Sequence, residues 1–216
     1  MYQDNPKTQS NVCLVCFDPL LKRISFPHLF KEYTLCYDCL QKFEIIDITI
    51  PFYHYPLRIL YRYNDFFRTL LYQYKGLYDY ALKDAFLTLF LDELQQHYQK
   101  YIIVVAPSSD EDNLVRGFAP METIASTFSQ NVFTGLYKKE KYKQSDLRYE
   151  ERNKVRDVIG IEDGELLKGK KVLIIDDVFT SGHTLYSCLS LVLEYQPKKV
   201  ELLVLSTRKQ KSNLRF

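Results

Sequence analysis

Residues 172–184 read Val-Leu-Ile-Ile-Asp-Asp-Val-Phe-Thr-Ser-Gly-His-Thr, and this stretch decides the fold of the chain. Its first four residues form a short, branched apolar run that is typical of a strand buried on both faces of a parallel sheet. The strand ends on Asp176 and Asp177, and the small residues 180–182 form a turn that leads into a helix. Apolar residues recur along that helix at the spacing of one buried face, at Leu185, Cys188, Leu189, Val192 and Leu193.

The turn after this strand has the composition of an anion-binding site. Backbone N–H groups at a helix N-terminus point outward, and the helix dipole adds partial positive charge there. The hydroxyl groups of Thr180, Ser181 and Thr184 add donors, and the two acids can hold sugar hydroxyls or a magnesium ion. An ordinary strand-to-helix turn is the competing interpretation, but such a turn needs neither paired acids nor small polar residues. The stretch therefore predicts a bound ligand without specifying a reaction.

The composition of the 216-residue chain fits one main domain plus a smaller module, since 46% of the residues are hydrophobic. The net charge of +2 gives no overall field that would attract nucleic acid or a membrane, so any basic surface must be local. No apolar run approaches the roughly 18 residues of a membrane-spanning helix. Residues 1–6 lack the apolar segment of a secretory signal. We therefore expect a cytoplasmic protein without an integral membrane segment.

Four of the five cysteines form two Cys-x-x-Cys pairs, Cys13 with Cys16 and Cys36 with Cys39. The spacing between the pairs is typical of a four-thiolate zinc site, and each two-residue gap lets a tight turn aim both sulfurs at one tetrahedral ion. The intervening stretch is too irregular to fold on a core of its own, so bound metal should supply much of its stability. Because cysteine fills all four positions, we expect structural rather than catalytic zinc.

Two disulfides or two redox-active pairs are the other interpretations of these cysteines. Without a secretory signal disulfides are disfavoured, and a redox pair should open a helix within a βαβ unit, which the sequence indicates for neither pair. His28 lies between the pairs and is expected to be exposed rather than a metal ligand. Cys188 lies on the apolar face of a helix and is expected in the core rather than as a nucleophile.

The remaining apolar runs alternate with helical patterns. We expect the strand that carries the acid pair at 168–176 and further strands at 101–106, 132–137 and 200–205. A helix should follow Arg116-Gly117-Phe118 and end near residue 129. The polar turn 107–109 follows one of these strands, at the edge where parallel sheets bind ligands. This alternation predicts an α/β fold with a parallel sheet. We divide the chain into a zinc-ribbon-like module at 1–50, a bridging strand and helices at 51–100, and an α/β core at 101–216.

The bridging segment follows Pro51 and Pro56, which mark the predicted end of the cysteine module. Its predicted elements are a half-exposed strand at 57–63, a helix from Asn64 or Asp65 to about Tyr74, and a second helix at 78–98. Basic and aromatic residues interleave here: Arg58, Arg62, Arg68 and Lys75 with Tyr61, Tyr63, Phe67, Tyr72 and Tyr74. Such a mixture suits single-stranded nucleic acid, but a solvated basic face over a tyrosine-rich core explains it too, and composition alone favours the second explanation.

A second charged segment, 138–157, has no evident core pattern and is expected to form an exposed loop that leads into a helix near 149–155. Its cations can bind either a diphosphate or a DNA backbone. The combined set of predicted diphosphate or DNA contacts is Lys75, Arg116, Lys139, Lys141, Lys143, Arg148 and Arg152.

The acid pair followed by Thr-Ser-Gly-x-Thr resembles the phosphoribosyl-diphosphate loop of the type I phosphoribosyltransferases. In that family the acids contact the ribose 2′ and 3′ hydroxyls, the turn cradles the 5′-phosphate, and a flexible loop closes over the diphosphate with its Mg²⁺. The resemblance implies that Asp176 and Asp177 serve in ligand binding and catalysis, and that 138–157 corresponds to the closing loop. It assigns the phosphate to Thr180, Ser181, Gly182, His183 and Thr184.

Motifs in one order across residues 11–206 are similar to those of the ComF family of late competence proteins. They are the cysteine pairs, Tyr-Lys-Gly at 74–76, Arg-Gly-Phe at 116–118, Lys-Gln-Ser-x-Leu at 143–147 followed by Glu-Arg at 151–152, and the acid-pair loop. The resemblance implies a zinc-ribbon-like module on a phosphoribosyltransferase fold. It also implies handling of incoming single-stranded DNA on the cytoplasmic side of the membrane, beside a DNA translocase or helicase.

Three functions remain open at this point. The first is a DNA-uptake accessory protein with a phosphoribosyl-diphosphate pocket, whose DNA surface includes the basic segments and the tail with Arg208, Lys209, Lys211 and Arg215. The second is an active phosphoribosyltransferase that acts on a nitrogenous acceptor, and the third is a non-catalytic sensor of the ribose-phosphate ligand. Members of the ComF family commonly continue Arg-Gly-Phe with Asn-Gln, whereas residues 119–121 are Ala-Pro-Met. This difference weakens the expectation of transfer chemistry more than that of ligand binding.

Overall fold

The computed structural model describes residues 11–20, 33–139 and 159–209. Its strands are β1 (Ile45–Phe52), β2 (Tyr55–Arg62), β3 (Tyr101–Val105), β4 (Val132–Phe133), β5 (Leu136–Lys138), β6 (Ile159–Ile161), β7 (Lys171–Phe179) and β8 (Lys199–Thr207). Its α-helices are α1 (Tyr37–Leu40), α2 (Asp65–Gly76), α3 (Leu91–His97), α4 (Asp110–Arg116), α5 (Pro120–Ala125) and α6 (His183–Glu194). Two short 3-10 helices cover Tyr80–Asp84 and Gly164–Leu167.

Six strands form one sheet in the order β1-β2-β8-β7-β3-β4, and β5 and β6 form a separate antiparallel pair. The five strands from β2 to β4 are parallel, and β1 runs antiparallel to β2 at the edge. In the centre of the sheet, Ile174 of β7 lies between Val104 of β3 and Leu202 of β8. The predicted α/β fold with a parallel sheet is thereby confirmed.

Strand β7 owes its central place to the apolar run that begins it. Residues 172–175 are fully buried. Val172 and Ile174 pack in a cluster under α6, while Leu173 and Ile175 pack on the other face. Burying one such side chain stabilises the fold by about 2 kcal/mol, so a strand with four of them belongs in the middle of the sheet. Helix α6 covers one face with its predicted residues, and Cys188 lies in this core.

The segment predicted as one helix at 78–98 is instead broken. It contains the 3-10 helix Tyr80–Asp84 and α3, and the residues between them form turns. The four consecutive residues 85–88 are all buried. Successive residues of an α-helix are about 100° apart, so a helix with one exposed face cannot bury four in a row. The chain breaks because this segment fills the core on several sides.

The strand predicted at 132–137 and the helix predicted up to residue 129 are also wrong in extent. The strand divides at Gly135 into β4 of the main sheet and β5 of the small one, and Gly135 accepts a hydrogen bond from the Glu162 N–H at 2.8 Å. The helix ends at Ala125, and a separate α4 precedes it. Gly117 terminates α4 with a left-handed φ of 81°, which glycine adopts without steric cost.

Strand β2 was expected to be half exposed, and this is wrong because β1 and β8 flank it and aromatic side chains cover it. Leu60 and Tyr61 are fully buried, and Tyr61 contacts the rings of Phe43, Phe67 and Phe90. The predicted helix capped by Asn64 is present as α2, in which the Asn64 side chain accepts from the Phe67 N–H. The two prolines at 51 and 56 lie opposite each other within the β1–β2 hairpin, so β1 runs across the 50/51 boundary.

Candidate functional site

The carboxyl ends of β7 and β3 lie side by side, and a cavity of about 330 Å³ opens at this edge of the sheet. Ligands bind at this edge in open parallel sheets. Side chains from several elements line the cavity, among them Lys75 of α2, Ser109 and Arg116 around α4, Lys138 of β5, Asp177 of β7 and Thr184 of α6. Residues far apart in the sequence therefore converge on the end of the strand that organises the fold.

The two acids at the end of β7 hold different partners. The Asp177 N–H donates to Asp176 Oδ1 at 2.9 Å, and the Val178 N–H donates to Asp177 Oδ1 at 2.8 Å. Lys75 Nζ forms an ion pair with Asp177 Oδ2, although the two residues are 102 positions apart. Both side chains remain partly exposed to the cavity, at 27% for Lys75 and 17% for Asp177. An incoming ligand can therefore reach both groups.

These contacts give the two carboxyl groups opposite pKa shifts. Burial, together with the neighbouring Asp177 carboxylate, raises the pKa of Asp176 to about 7. Burial also acts to raise the pKa of Asp177, but the Lys75 ammonium group more than offsets it and lowers that pKa. At neutral pH Asp177 is ionised while Asp176 is near its titration midpoint. Such a pair is typical of ligand-binding and catalytic sites.

The raised pKa of Asp176 predicts a pH-dependent stability. The native state binds more protons than the unfolded state between about pH 4 and pH 7, so the free energy of unfolding should fall as pH rises through this window. Above pH 7, Asp176→Asn should be more stable than the parent by about 2 kcal/mol, after allowance for partial solvent exposure. Near pH 4 the two proteins should be equally stable. Urea unfolding at pH 4.5, 6 and 8 measures the difference, with the exposed Glu165→Gln as control. A stability difference between the parent and Asp176→Asn that stays constant across the three pH values would contradict the raised pKa of Asp176.

The turn from β7 to α6, residues 180–184, is called the phosphate loop after the role that the sequence resemblance predicts for it. Thr180, Ser181, His183 and Thr184 are solvent-exposed, and Thr184 also lines the cavity. The His183 N–H lies 3.5 Å from Ser181 Oγ. Helix α6 has 12 residues, so its dipole and its first amide groups favour an anion beside the loop. The phosphate loop thus combines amide and hydroxyl donors next to the acid pair.

Gly182 is required in this loop for two separate reasons. Its φ of 85° lies in the left-handed region, and a Cβ there would lie 2.9 Å from Phe179 Cε2 and 3.0 Å from Phe52 Cε2. Gly182→Ala should therefore lower the free energy of unfolding by about 2–3 kcal/mol, from backbone strain plus crowding. Gly169→Ala is the matched control, because Gly169 has a φ of 67° but nothing within 4 Å of its Cβ position. It should cost about 1 kcal/mol. Equal losses in thermal unfolding would show that crowding at Gly182 is absent.

Two of the predicted phosphate-contacting cations lie together at the cavity. The Arg116 Nε–H donates to the Lys75 carbonyl oxygen at 2.9 Å, and Nη1 donates to Asn113 Oδ1 at 3.2 Å. Lys139 directly follows β5, is exposed, and is not among the residues that line the cavity. Four predicted contacts, Lys141, Lys143, Arg148 and Arg152, lie outside the described residues, as do His28, the helix expected at 149–155 and the tail residues Lys211 and Arg215.

The cavity also contains residues that the sequence analysis did not assign to the site. Lys138 and Asp112 line it, as does the apolar side chain of Met121. The polar turn 107–109 at the end of β3 was a usable signal for this wall. Ser109 caps α4 by accepting the Asp112 N–H at 3.3 Å. No local pattern indicated that Lys138 belongs to the site, because it begins a long charged segment.

The basic and aromatic segment that was considered for nucleic-acid binding is largely occupied by internal contacts. Arg58 binds both Asp47, at 2.7 Å, and Glu93. The other cations pair likewise, Arg62 with Glu44, Arg68 with Asp65 and Lys75 with Asp177. The rings of Tyr61, Phe67 and Tyr74 are buried in the core. This segment is therefore largely a salt-bridged face over an aromatic core, although Tyr72 is exposed and Tyr63 is half-buried.

The four paired cysteines converge on one point. The Sγ atoms of Cys13, Cys16, Cys36 and Cys39 all lie within 4.8 Å of one another, and those of Cys16 and Cys36 are 3.6 Å apart. Thiolates around a tetrahedral zinc ion at 2.3 Å should be separated by about 3.8 Å. All five cysteines of the chain are free thiols, which removes the disulfide interpretation. The cluster could hold a metal ion.

The surroundings of this cluster favour a structural role. The second pair does begin a helix, contrary to expectation, since Cys36 precedes α1 and Cys39 lies within it. An antiparallel hairpin rather than a βαβ unit follows α1, so the redox interpretation gains no support. Burial raises the pKa of Cys39; burial acts on Cys13 too, but backbone N–H groups outweigh it and lower that pKa to about 7. Three of the four cysteines belong to the main hydrophobic core cluster.

Across the described residues, no helix has the length and apolar character that a membrane crossing would demand.

Comparison with known proteins agrees with the fold and with the sequence resemblance. The model of the phosphoribosyl transferase domain family matches residues 91–215. Competence protein ComFC of Streptococcus pneumoniae is 28% identical over 144 residues, which are 67% of this chain and 64% of that protein. Hypoxanthine-guanine phosphoribosyltransferase of Homo sapiens is 47% identical over 45 residues, 21% of each chain. Purine phosphoribosyltransferase from Pyrococcus horikoshii Ot3 is a structural neighbour with a TM-score of 0.39 and 19% identity, over 58% of this chain and 73% of that one.

Proposed function

The chain belongs to the phosphoribosyl transferase domain family, and we propose that it is a competence protein whose cavity binds phosphoribosyl diphosphate and which handles incoming single-stranded DNA in the cytoplasm. The observation that carries the ligand assignment is the convergence of the acid pair, Lys75 and the phosphate loop on one cavity. The similarity to ComFC supports the role in DNA uptake.

The ligand assignment follows from the chemistry of the cavity walls. Asp176 and Asp177 accept hydrogen bonds from the ribose 2′ and 3′ hydroxyls, since carboxyl oxygens are acceptors and the ionised Asp177 is a strong one. The phosphate loop receives the 5′-phosphate through its amide and hydroxyl donors. Lys75 and Arg116 lie on the wall formed by α2 and α4 and supply positive charge for the diphosphate. Mg²⁺, when bound with the ligand, would neutralise part of the diphosphate charge.

Single-stranded DNA should contact a different surface, because deoxyribose lacks the 2′ hydroxyl that the acid pair would recognise. The segment that follows β8 is one part of the described surface with the required chemistry. The Arg208 guanidinium lies 4.4 Å from the Tyr63 ring centroid, and Arg208 is exposed. Lys209 follows Arg208 and adds a second cation, while the Phe179 ring near its Nζ is buried. Cations next to aromatic rings bind single-stranded DNA with little sequence preference. A DNA translocase or helicase would bring the strand to the inner face of the membrane.

The four-cysteine cluster should hold a structural zinc ion. Four thiolates satisfy tetrahedral zinc completely and leave no position for substrate. The module contributes Leu35, Leu40 and Phe43 to the main core cluster, so the ion would stabilise a part of the chain that packs directly on α2 and β2.

Two titrations on one preparation test this function. Isothermal calorimetry with phosphoribosyl diphosphate and Mg²⁺ should give saturable one-to-one binding. Fluorescence anisotropy with a labelled deoxythymidine oligonucleotide should show binding that weakens steeply between 50 and 200 mM salt, because phosphate contacts release counterions. DNA binding whose affinity does not change with salt concentration would refute the DNA proposal. Absence of heat with millimolar phosphoribosyl diphosphate would refute the ligand proposal.

Phosphoribosyl transfer is a second candidate function, and the pKa of Asp176 near 7 favours it. In this reaction the bond from ribose C1 to the diphosphate oxygen breaks, a bond from C1 to an acceptor nitrogen forms, and pyrophosphate leaves. A group near its titration midpoint at neutral pH can take up the proton that the acceptor nitrogen loses. Release of pyrophosphate in the presence of a nitrogenous acceptor, lost in Asp176→Asn, would establish transfer. Tight binding without pyrophosphate release for any nitrogenous base would leave a non-catalytic sensor of the ligand.

A further inference from the structure

The turn between β1 and β2 has an unusual composition. Phe52 pairs with Tyr55, so Tyr53 and His54 alone form the turn. Both residues adopt the left-handed conformation, with φ of 47° and 70°. A two-residue hairpin turn of this kind is formed with least strain by Asn-Gly, because other residues bring their Cβ too close to the backbone. A tyrosine and a histidine therefore strain this turn, so we expect their side chains to make contacts that offset the strain.

The aromatic side chains at this hairpin tip contact the phosphate loop and the first turn of α6. Phe52 is buried, and its ring lies edge-on to Phe179 with a centroid separation of 5.7 Å. The same ring packs on Gly182, where it would be 3.0 Å from an added Cβ. The Tyr53 ring centroid lies 4.5 Å from that of Tyr186 in α6. The hairpin tip therefore contacts the glycine of the loop and the residues that flank the loop on both sides, Phe179 and Tyr186.

These contacts fix the part of the chain that would receive the phosphate. The Tyr186 N–H donates to the Gly182 carbonyl oxygen at 2.9 Å, so a ring that holds Tyr186 also holds the start of the helix. The loop residues on the other side, Thr180 and Ser181, are solvent-exposed. The hairpin tip is thus a wall against which the donor groups of the loop are aligned.

We infer that the β1–β2 hairpin tip positions the phosphate loop, and that Tyr53 and Phe52 are positioning residues for binding of the 5′-phosphate; this inference rests on the proposed function of the cavity. Neither residue lines the cavity, and they act through Tyr186 and Gly182. The strain in the turn is retained because the Tyr53 ring contacts Tyr186, and an Asn-Gly turn has no ring to make this contact.

The double variant Tyr53→Asn/His54→Gly separates positioning from stability. It installs the turn sequence that suits this backbone, so the hairpin should keep its thermal stability, but it removes the ring that contacts Tyr186. We expect its dissociation constant for phosphoribosyl diphosphate with Mg²⁺ to rise about tenfold, since a misaligned loop must be ordered by the ligand. His54→Gly alone and Tyr53→Phe should both bind within twofold of the parent. Parent-like affinity in the double variant would overturn the inference.

A measurement without ligand tests the contact between the hairpin tip and the phosphate loop independently of the proposed ligand. Amide hydrogen exchange at residues 182–186 should be about tenfold faster in the double variant than in His54→Gly, while exchange in β3 stays unchanged. If the parent protein binds no phosphoribosyl diphosphate but this difference appears, the proposed ligand is wrong and the positioning contact stands. Equal exchange in both variants would refute the positioning contact whatever the ligand.

Discussion

Asp177→Ala is expected to raise the dissociation constant for phosphoribosyl diphosphate with Mg²⁺ at least a hundredfold. The carboxylate of Asp177 is held ionised by Lys75 and faces the cavity. Each hydrogen bond from a ligand hydroxyl to such a group contributes roughly 1.5–3 kcal/mol, so losing the acceptor removes about 3 kcal/mol or more once the Lys75 geometry is also disturbed. Calorimetric titration of the parent and the variant measures this change directly.

The control for this prediction must remove a carboxylate without touching the cavity. Glu165→Ala meets this requirement because Glu165 is exposed in the 3-10 helix Gly164–Leu167. It should bind within twofold of the parent. Asp177→Asn keeps the size of the side chain and should still lose most of the affinity, since an amide cannot hold Lys75 as an ion pair. A dissociation constant for Asp177→Ala within threefold of the parent would show that the ligand does not bind at the acid pair.

Cys36→Ala is expected to abolish stoichiometric zinc binding and to unfold the cysteine module. Loss of one thiolate from a four-thiolate site should weaken zinc binding on the order of a thousandfold, and binding energy at such sites is also folding energy. The side chains that the module contributes to the core, including Leu35 and Phe43, would then be released. The metal content of the purified protein, by mass spectrometry of the native protein, and its thermal unfolding both report this loss.

The fifth cysteine provides the matched control. Cys188 is fully buried on the inner face of α6 and lies outside the four-cysteine cluster. Cys188→Ala should lose about 1–2 kcal/mol of stability from the small cavity that it creates, but it should retain one zinc ion per chain. Retention of zinc by Cys36→Ala, or its loss from Cys188→Ala, would contradict the assignment of the ligands.

The parts of the fold that sequence analysis predicted correctly are those with strong local signals. The apolar run before Asp176, the small turn and the periodic apolar residues of α6 determine their own conformation, and the Cys-x-x-Cys spacing specifies convergence of the thiols. The single helix predicted at 78–98 failed because burial there depends on neighbours from other elements. The strand predicted at 132–137 failed because its two halves pair with different partners, β3 and β6.

The candidate site shows the same division between local and long-range information. The acid pair and the phosphate loop can be predicted from one contiguous stretch of sequence. The Lys75–Asp177 ion pair joins positions 102 residues apart, so no local pattern predicts it. The cations at 58 and 62 suggested a basic surface because their partners, Asp47 and Glu44, belong to the preceding strand and its approach. The hairpin tip offered no sequence signal, since Tyr53 and His54 do not resemble a two-residue turn.

A crystal structure of the protein with phosphoribosyl diphosphate and Mg²⁺ would show whether the cavity at the end of β7 binds this ligand. The ribose 2′ and 3′ hydroxyls should lie within hydrogen-bond distance of Asp176 and Asp177, and the 5′-phosphate should lie on the amide groups of residues 181–184. The diphosphate should lie on the side of Lys75 and Arg116. A ligand bound elsewhere on the chain, or a phosphate loop that stays empty at saturating ligand, would contradict the account.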